Sequence, residues 1–298
     1  VNTDQIVVPI PRTRIGVYGD DPTRYDRPPL PAISADGVRH YANIAVARVS
    51  GYRPLHMDLY VPPAATADRP WPLVAWIHGG AFREGSRTSL PDTLEPVGFH
   101  EHLLARGYAV AEIDYRLSRE AVFPAQLHDV RAAIAWLRTF AGELHLDPDR
   151  FAAWGESAGG MLAALAGLGD RQDVARVQAV VDWYGPSDCM DETRSDPDDP
   201  GVWLLGGTAS QKPEPAFWAS PVRQVHDQAP PFLLMHGTAD STIPYTESEN
   251  LAAALRAVGV RADLVPVEGA GHVFRGVNDM LTLVQRSLDF LDDTLAKS

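Results

Sequence analysis

The stretch FAAWGESAGGMLAAL, from Phe151 to Leu165, decides how this chain folds. An apolar run of strand type, FAAW, passes directly into an apolar run of helix type, MLAAL. Between them stand Gly155, Glu156, Ser157, Ala158, Gly159 and Gly160, with no polar loop to soften the corner. Glycine weakens a strand or helix interior by roughly 0.5–1 kcal/mol relative to alanine, so a glycine cluster where two core elements meet needs a reason. The G-x-S-x-G spacing of Gly155, Ser157 and Gly159 supplies one. A sharp strand-to-helix turn pushes its serine into a strained conformation with the hydroxyl exposed, and the flanking glycines remove side chains that would collide with neighbouring elements. Ser157 also falls at a helix N-terminus, where free backbone N–H groups favour developing negative charge. It is the candidate nucleophile.

Outward from this corner the texture is regular. Upstream, PLVAWIHGG reads as a buried strand ending in glycines, HEHLLARG as a helix closed by Gly107, and YAVAEIDY as a strand. PAQLHDVRAAIAWLRTFAGE is an amphipathic helix, with Leu127, Val130, Ile134 and Leu137 at helical spacing and Pro124 in its first turn. Downstream, VQAVVDWYG, FLLMHG and RADLVPVEG are strands, ESENLAAALRAVG is a helix, and a helix from about Asn278 to Leu295 closes the chain. Near the start, Ile44–Val49 and His56–Val61 alternate in polarity around the turn residues Ser50 to Pro54, which predicts an antiparallel pair. Continuous apolar strands alternating with helices predict an α/β fold: one domain, its mostly parallel central sheet covered by helices on both faces.

Two segments break the rhythm. Residues 1 to 40 are rich in proline, arginine and aspartate and read as an irregular arm on the domain surface. From 186 to 230 no strand or long helix is evident, an unusual length for a structureless connection inside a domain. That segment carries the acidic turn DETRSDPDDPG and the apolar side chains Trp203, Leu204, Leu205, Phe217 and Trp218. It follows the strand VQAVVDWYG and so emerges at the edge of the sheet where open α/β proteins bind ligands. We read it as a small cap, with Trp203, Phe217 and Trp218 as candidate substrate-binding residues.

Composition narrows the function class. The 298 residues are 45% hydrophobic and 22% charged, with a formal charge of −13 from 26 basic and 39 acidic side chains. No Lys/Arg cluster stands out, which argues against nucleic acid and anionic membrane surfaces as partners. No apolar run approaches membrane-spanning length. Cys189 is the only cysteine, so an internal disulfide framework and a CxxC zinc site are both excluded. Together with an N-terminus that lacks a signal-peptide pattern, this leads us to expect a cytoplasmic protein, or a secreted one if a signal has been removed. His100-Glu101-His102 does not place two histidines on one helix face and no HExxH occurs, so no metal is expected; the lack of GxGxxG and GxxxxGK[ST] loops likewise leaves no expected cofactor.

The remaining parts of a nucleophilic site lie at other strand ends. Gly79-Gly80, after the strand PLVAW, allows backbone N–H groups to turn inward toward an oxyanion. A serine needs an imidazole to take its proton, and the imidazole needs a carboxylate to fix its tautomer. His272, in the glycine-lined loop GAGHVF after the last strand, is the candidate base. Asp240, in FLLMHGTAD, is the candidate acid, with Asp182 and Asp188 as rivals on the preceding strand and loop. His78 and His236, at strand ends, read as structural hydrogen-bonding groups.

Taken together, HGGAF, IDYRLSREAVFPAQLHDVRAAIAWLR, WGESAGG, HGTAD and GAGHVF resemble the α/β-hydrolase superfamily, in particular the HGG-type esterases related to hormone-sensitive lipase and the bacterial feruloyl- and acetyl-esterase-like carboxylesterases. The resemblance runs from about Ile44 to the C-terminus. It implies the α/β-hydrolase fold, with the N–H groups of Gly79, Gly80 and Ala158 forming the oxyanion hole and Asp114 and Arg116 bracing the loops around it. Three positions depart from the pattern: Ala81 replaces the third glycine of HGGG and is expected to keep an ordinary backbone conformation, Ser118-Arg119-Glu120 replaces an acid-proline pair, and Glu156 replaces a frequent aspartate. The implied activity is cofactor-independent hydrolysis of small to medium carboxylic esters through an acyl-enzyme. An amidase, peptidase or arylformamidase with the same triad, and a non-catalytic ligand-binding protein on the same fold, are the alternatives.

Overall fold

The computed structural model describes residues 27–47, 51–63, 69–170, 172–190 and 196–296. Most of the N-terminal arm, the end of the predicted strand at Arg48 and Val49, and the first half of the acidic turn therefore lie outside the described residues.

The run WPLVAWI forms strand β4 (Trp71–Ile77), and its alternate side chains enter two different cores. Leu73, Ala75 and Ile77 pack on one face of the sheet, Val74 and Trp76 on the other, all at most 1% exposed. Two buried faces are the reason the strand reads as a continuous apolar run. The other strands are β1 (Ala32–Ile33), β2 (Arg39–Ala47), β3 (Leu55–Val61), β5 (Ala109–Ile113), β6 (Leu146–Glu156), β7 (Ala179–Trp183), β8 (Phe232–Gly237) and β9 (Ala262–Val267). They form a nine-stranded sheet in the order β1-β2-β3-β5-β4-β6-β7-β8-β9. The predicted antiparallel pair is β2 with β3, and β1–β2 and β3–β5 are antiparallel too. From β5 to β9 every pairing is parallel.

Helices cover both faces, as parallel crossovers require. On one side lie α2 (Ala125–Thr139), α3 (Ala141–Leu144), α4 (Ala158–Gly167) and α7 (Thr246–Ala257). On the other, α1 (Phe99–Ala105) and α8 (Met280–Leu295) bury Phe99, Leu103, Val284, Leu288 and Leu291. This is the arrangement the sequence resemblance implied.

Within 196–230 the described chain forms only short elements, α5 (Pro200–Leu205), α6 (Pro213–Trp218) and a 3-10 turn at Pro221–Arg223. The apolar set of this segment is split. Leu204 and Leu205, which are not among the candidate substrate-binding residues, are buried in the core, whereas Phe217 and Trp218 are 40% and 53% exposed. The Leu204 carbonyl accepts the Phe123 N–H at 2.8 Å, which ties α5 to the loop before α2.

Candidate active site

Ser157 occupies the turn between β6 and α4 with φ 53° and ψ −119°, a conformation that costs a non-glycine residue of order 1–3 kcal/mol. Close packing enforces it. A Cβ on Gly155 would stand 2.1 Å from the Gly159 carbonyl oxygen, and one on Gly159 would stand 2.0 Å from that of Ile77, so neither position accepts a side chain. The Ser157 N–H donates to the Trp183 carbonyl at 2.8 Å, fixing the corner against β7.

The hydroxyl meets an imidazole and a carboxylate. Ser157 Oγ lies 3.1 Å from His272 Nε2, and His272 Nδ1 lies 2.7 Å from Asp240 Oδ2. His272 is delivered by a short turn, His272–Phe274, in which Val273 and Phe274 both take positive φ (54° and 56°). Phe274, fully buried, anchors that turn: its ring packs against Trp183 at 5.2 Å and Tyr184 at 4.6 Å, while Tyr184 in turn meets the His272 ring edge-on at 5.1 Å. Each such aromatic pair contributes about 0.5–1.5 kcal/mol beyond area burial, so the imidazole is held from the core as well as by its own loop.

Asp240 is a buried carboxylate with its lone pairs occupied. Oδ1 accepts the N–H groups of Thr242 and Ile243 at 2.8 and 2.9 Å, and Oδ2 faces His272 and, at 3.4 Å, His236 Nε2. Burial alone would raise its pKa, but the hydrogen bonds from His236, His272 and Ile243 hold it well below the ordinary carboxylate range. His236 Nε2 also lies 2.9 Å from the Ile243 carbonyl, and its Nδ1 lies 2.7 Å from Ser248 Oγ, so it acts as a structural brace with a contact to Asp240. Asp182 does not meet His272: it accepts the Gly185 N–H at 2.9 Å, and burial pushes its pKa up to about 6. Asp188 pairs with Arg223 at 2.7 Å.

The loop after β4 is where the structure departs most from the expectation. The Gly79 N–H donates to Glu156 Oε1 at 2.6 Å, so it is not free for an oxyanion. Glu156 lies flat against Gly79: a Cβ there would come within 2.1 Å of Oε1. No acceptor among the described residues takes the N–H of Gly80 or Ala81, and Ala158 carries the first N–H of α4, which has no intrahelical acceptor. Ala81 does not keep an ordinary backbone. With φ of 53° it lies in the left-handed region beside Phe82 at 59°, because the Arg83 and Glu84 N–H groups close a tight turn on the Gly80 carbonyl at 2.9 and 3.1 Å. Buried Phe82 and the two bonds that Ser118 N–H and Oγ give its carbonyl, at 2.7 and 3.0 Å, offset that strain.

Bracing residues behave as the resemblance implied. Asp114 accepts from the Arg87 backbone and guanidinium at 2.9 and 3.1 Å, and Arg116 forms a two-point bond to Asp129 at 2.7 Å through both Nε and Nη2. Trp203 is half-buried, donates to the Pro197 carbonyl at 2.7 Å, and lies under two guanidinium groups, Arg119 at 5.0 Å and Arg83 at 6.0 Å from its ring centre. Sequence reasoning missed Tyr115, Tyr184 and the grip of Glu156 on the loop. Tyr115 and Glu156 sit inside quoted motifs, but no spacing rule states which N–H a buried carboxylate takes. Among the described residues no cluster of three or more His, Cys, Asp and Glu could hold a metal ion, and no helix is long and apolar enough to cross a membrane.

Residues 57–255 match the BD-FAE family. The chain is 34% identical to the esterase LipC of Mycobacterium tuberculosis over 69% of its own length and 54% of that protein's, so it spans about half the length of the curated relatives it matches. Among solved structures, a truncated carbohydrate esterase from gut microbiota superposes with a TM-score of 0.76 at 27% identity, covering 89% of this chain and 99% of that one. Esterase 2 of Thermogutta terrifontis, phosphorylated by paraoxon, gives 0.66 at 28% identity over 84% and 91%.

Proposed function

Since this chain belongs to the BD-FAE family, we propose that it is a serine carboxylester hydrolase acting on small to medium esters through an acyl-enzyme. The observation that carries this reading is the hydrogen-bonded line from Ser157 through His272 to Asp240, at 3.1 and 2.7 Å, set at a strained corner. The names of the relatives, an esterase and a carbohydrate esterase, support it, as does the reaction of the Thermogutta enzyme with paraoxon.

Ser157 Oγ attacks the ester carbonyl as His272 Nε2 takes the hydroxyl proton. Asp240, ionised, holds the proton on Nδ1 and stabilises the imidazolium that forms. The oxyanion sits against the N–H groups of Gly80, Ala81 and Ala158, a set in which Ala81 takes the place first assigned to Gly79. Collapse of the tetrahedral intermediate breaks the bond to the alcohol, which leaves with the proton from His272. Water then repeats the two steps on the acyl-enzyme. No cofactor enters the scheme.

The segment 186–230 is our candidate cap, with Trp203, Phe217 and Trp218 shaping the acyl or alcohol side. The exposure of Phe217 and Trp218, unlike their buried neighbours, supports a use other than core packing. A cytoplasmic setting is supported by a chain whose one cysteine needs no oxidising compartment.

The test is active-site labelling with a fluorophosphonate, alongside hydrolysis of p-nitrophenyl esters, formanilides and peptide amides. Stoichiometric modification of Ser157 with ester turnover is expected. Labelling elsewhere or not at all would turn the reading toward the non-catalytic alternative, and faster turnover of formanilide or amide would move the substrate class.

A further inference from the structure

The residue before the nucleophile has a task of its own. Glu156, 6% exposed at the end of β6, does not reach His272 or Asp240 by hydrogen bond; its Oε1 accepts the Gly79 N–H at 2.6 Å. The rest of that glycine is fixed as well. Its carbonyl accepts from His78 Nδ1 at 2.8 Å, and the Tyr115 hydroxyl shares its one proton between the carbonyls of His78 and Gly79, at 2.9 and 3.1 Å. His78 can serve here because burial holds its pKa down at about 4, leaving it neutral with its one N–H on Nδ1. It stacks on Tyr115 with ring centres 4.3 Å apart.

Peptide planarity turns these contacts into a direction. The Gly79 carbonyl and the Gly80 N–H belong to one trans peptide and point opposite ways. Locking the carbonyl onto His78 and Tyr115 therefore aims the Gly80 N–H to the other side. The bond from Gly79 N–H to Glu156 sets the plane of the preceding peptide, so the loop cannot rotate about Gly79, where glycine would otherwise allow wide freedom.

We propose that Glu156 is a positioning residue that ties the oxyanion loop to the nucleophile corner, so that the Gly80 and Ala81 N–H groups and Ser157 Oγ keep a fixed mutual geometry. This rests on the hydrolase reading above. Glutamate is suited to the place because its reach spans from the end of β6 to the loop after β4, and Gly79 has to be glycine because the carboxylate fills the space of its Cβ. A carboxylate one methylene shorter would draw back from the loop. The Tyr184 hydroxyl approaches the same carboxylate without closing a hydrogen bond of normal geometry, which leaves Gly79 as its principal partner.

The experiment compares Glu156→Gln, Glu156→Asp and Glu156→Ala in the full chain, with two readouts. In protein labelled with [15N]glycine, the Gly79 amide proton should be far downfield in the parent, remain downfield in Glu156→Gln, and move upfield in Glu156→Ala. In steady-state hydrolysis of a p-nitrophenyl ester, Glu156→Ala should lose about 10²-fold in kcat, the size of one lost oxyanion donor, with KM within about threefold. Glu156→Gln, which keeps an acceptor oxygen, should restore kcat to within about fivefold of the parent, and Glu156→Asp should fall between the two. An unmoved Gly79 amide in Glu156→Ala, equal kcat in the Gln and Ala variants, or a loss confined to KM would each overturn the proposal. If Glu156→Ala fails to fold, the Gln and Asp variants decide alone: equal amide shifts and equal kcat in those two overturn it. A Ser157→Ala variant as active as the parent would instead remove the hydrolase reading, while the amide shift would still report whether Glu156 holds the loop.

Discussion

Asp188 is bound by Arg223, whose Nε and Nη2 lie 3.0 and 2.7 Å from its two carboxylate oxygens. That pairing leaves Asp240 as the carboxylate that meets the imidazole, although both aspartates follow parallel strands on the same side of Ser157. Asp240→Asn should lower kcat by roughly 10³–10⁴-fold, since the amide favours the wrong imidazole tautomer and carries no charge. Asp188→Asn should leave kcat within about threefold, because a half-exposed ion pair is worth little. Ser157→Ala should lose on the order of 10⁴–10⁶-fold with unchanged circular dichroism. Steady-state kinetics on the three variants checks this, and a larger loss at Asp188 than at Asp240 would reverse the assignment.

What could be read from sequence followed from the period of its patterns. The two-sided strand WPLVAWI and the glycines of GESAGG are contiguous patterns, and the order of Ser157, Asp240 and His272 is read along the chain without knowledge of any contact. The Gly79 bond to Glu156 joins residues 77 positions apart, and only the register of β4 with β6, which sets Ile77 beside Gly155, makes it visible. The left-handed Ala81 was hidden for a similar reason. Its conformation is set by the burial of Phe82 and by Ser118 on another loop, and an alanine in the sequence announces neither. The burial of Leu204 and Leu205 could not be told from the exposure of their apolar neighbours, because a six-residue helix leaves no periodic trace in the sequence.

The oxyanion loop calls for a test that spares its backbone. Gly80 has φ of 99°, and a Cβ there would stand 2.2 Å from the Glu84 carbonyl oxygen, so substituting Gly80 tests folding before it tests donation. Replacing the substrate carbonyl oxygen by sulfur weakens the same hydrogen bonds without touching the protein. A thionoester should be turned over about 10²-fold or more slowly than its oxygen counterpart, in kcat. Ala81→Gly should leave kcat within a few fold and shift stability by no more than about 1 kcal/mol, since relief of the left-handed strain and the added flexibility of glycine oppose each other. Equal turnover of ester and thionoester would speak against an oxyanion hole in this loop.

Glu156 gives stability a pH signature. Burial pushes its pKa up to about 7, against the pull of the Gly79 N–H, His272 and Tyr184, with buried Tyr115 also facing it. A carboxyl whose folded pKa lies above its unfolded value of 4.5 binds more protons in the folded state between those limits. Its contribution to stability therefore falls as pH rises through that window and stays low above it. Glu156→Gln removes the titration. The stability of the variant relative to the parent should rise between pH 4.5 and 8, by on the order of 3 kcal/mol at most. Urea unfolding of both proteins across that range measures it, and a difference that does not vary with pH would mean the carboxyl titrates alike in both states.

Trp203 and Trp218 occupy different settings in the proposed cap, and the two should respond differently. Trp203 is clasped by Arg119 and Arg83, and the Arg83 N–H closes the turn on Gly80, so this ring is linked to the oxyanion loop through one residue. Trp218 is 53% exposed and touches Phe217 edge-to-face at 5.4 Å, so its loss removes little core. If both rings line the substrate path, Trp203→Ala and Trp218→Ala should each move the acyl-length optimum, measured with p-nitrophenyl acetate through decanoate. The parent should favour acetyl to roughly hexanoyl chains, and each methylene in contact with a lost ring should change discrimination by about 1–3 kcal/mol at most. Trp218→Ala should do so with stability within about 0.5 kcal/mol of the parent, as expected for an exposed side chain. Trp203→Ala should also lower the melting temperature, because the guanidinium contacts and the bond to Pro197 go with it. Unchanged chain-length profiles in both variants, with only Trp203→Ala destabilised, would return the segment to a structural role.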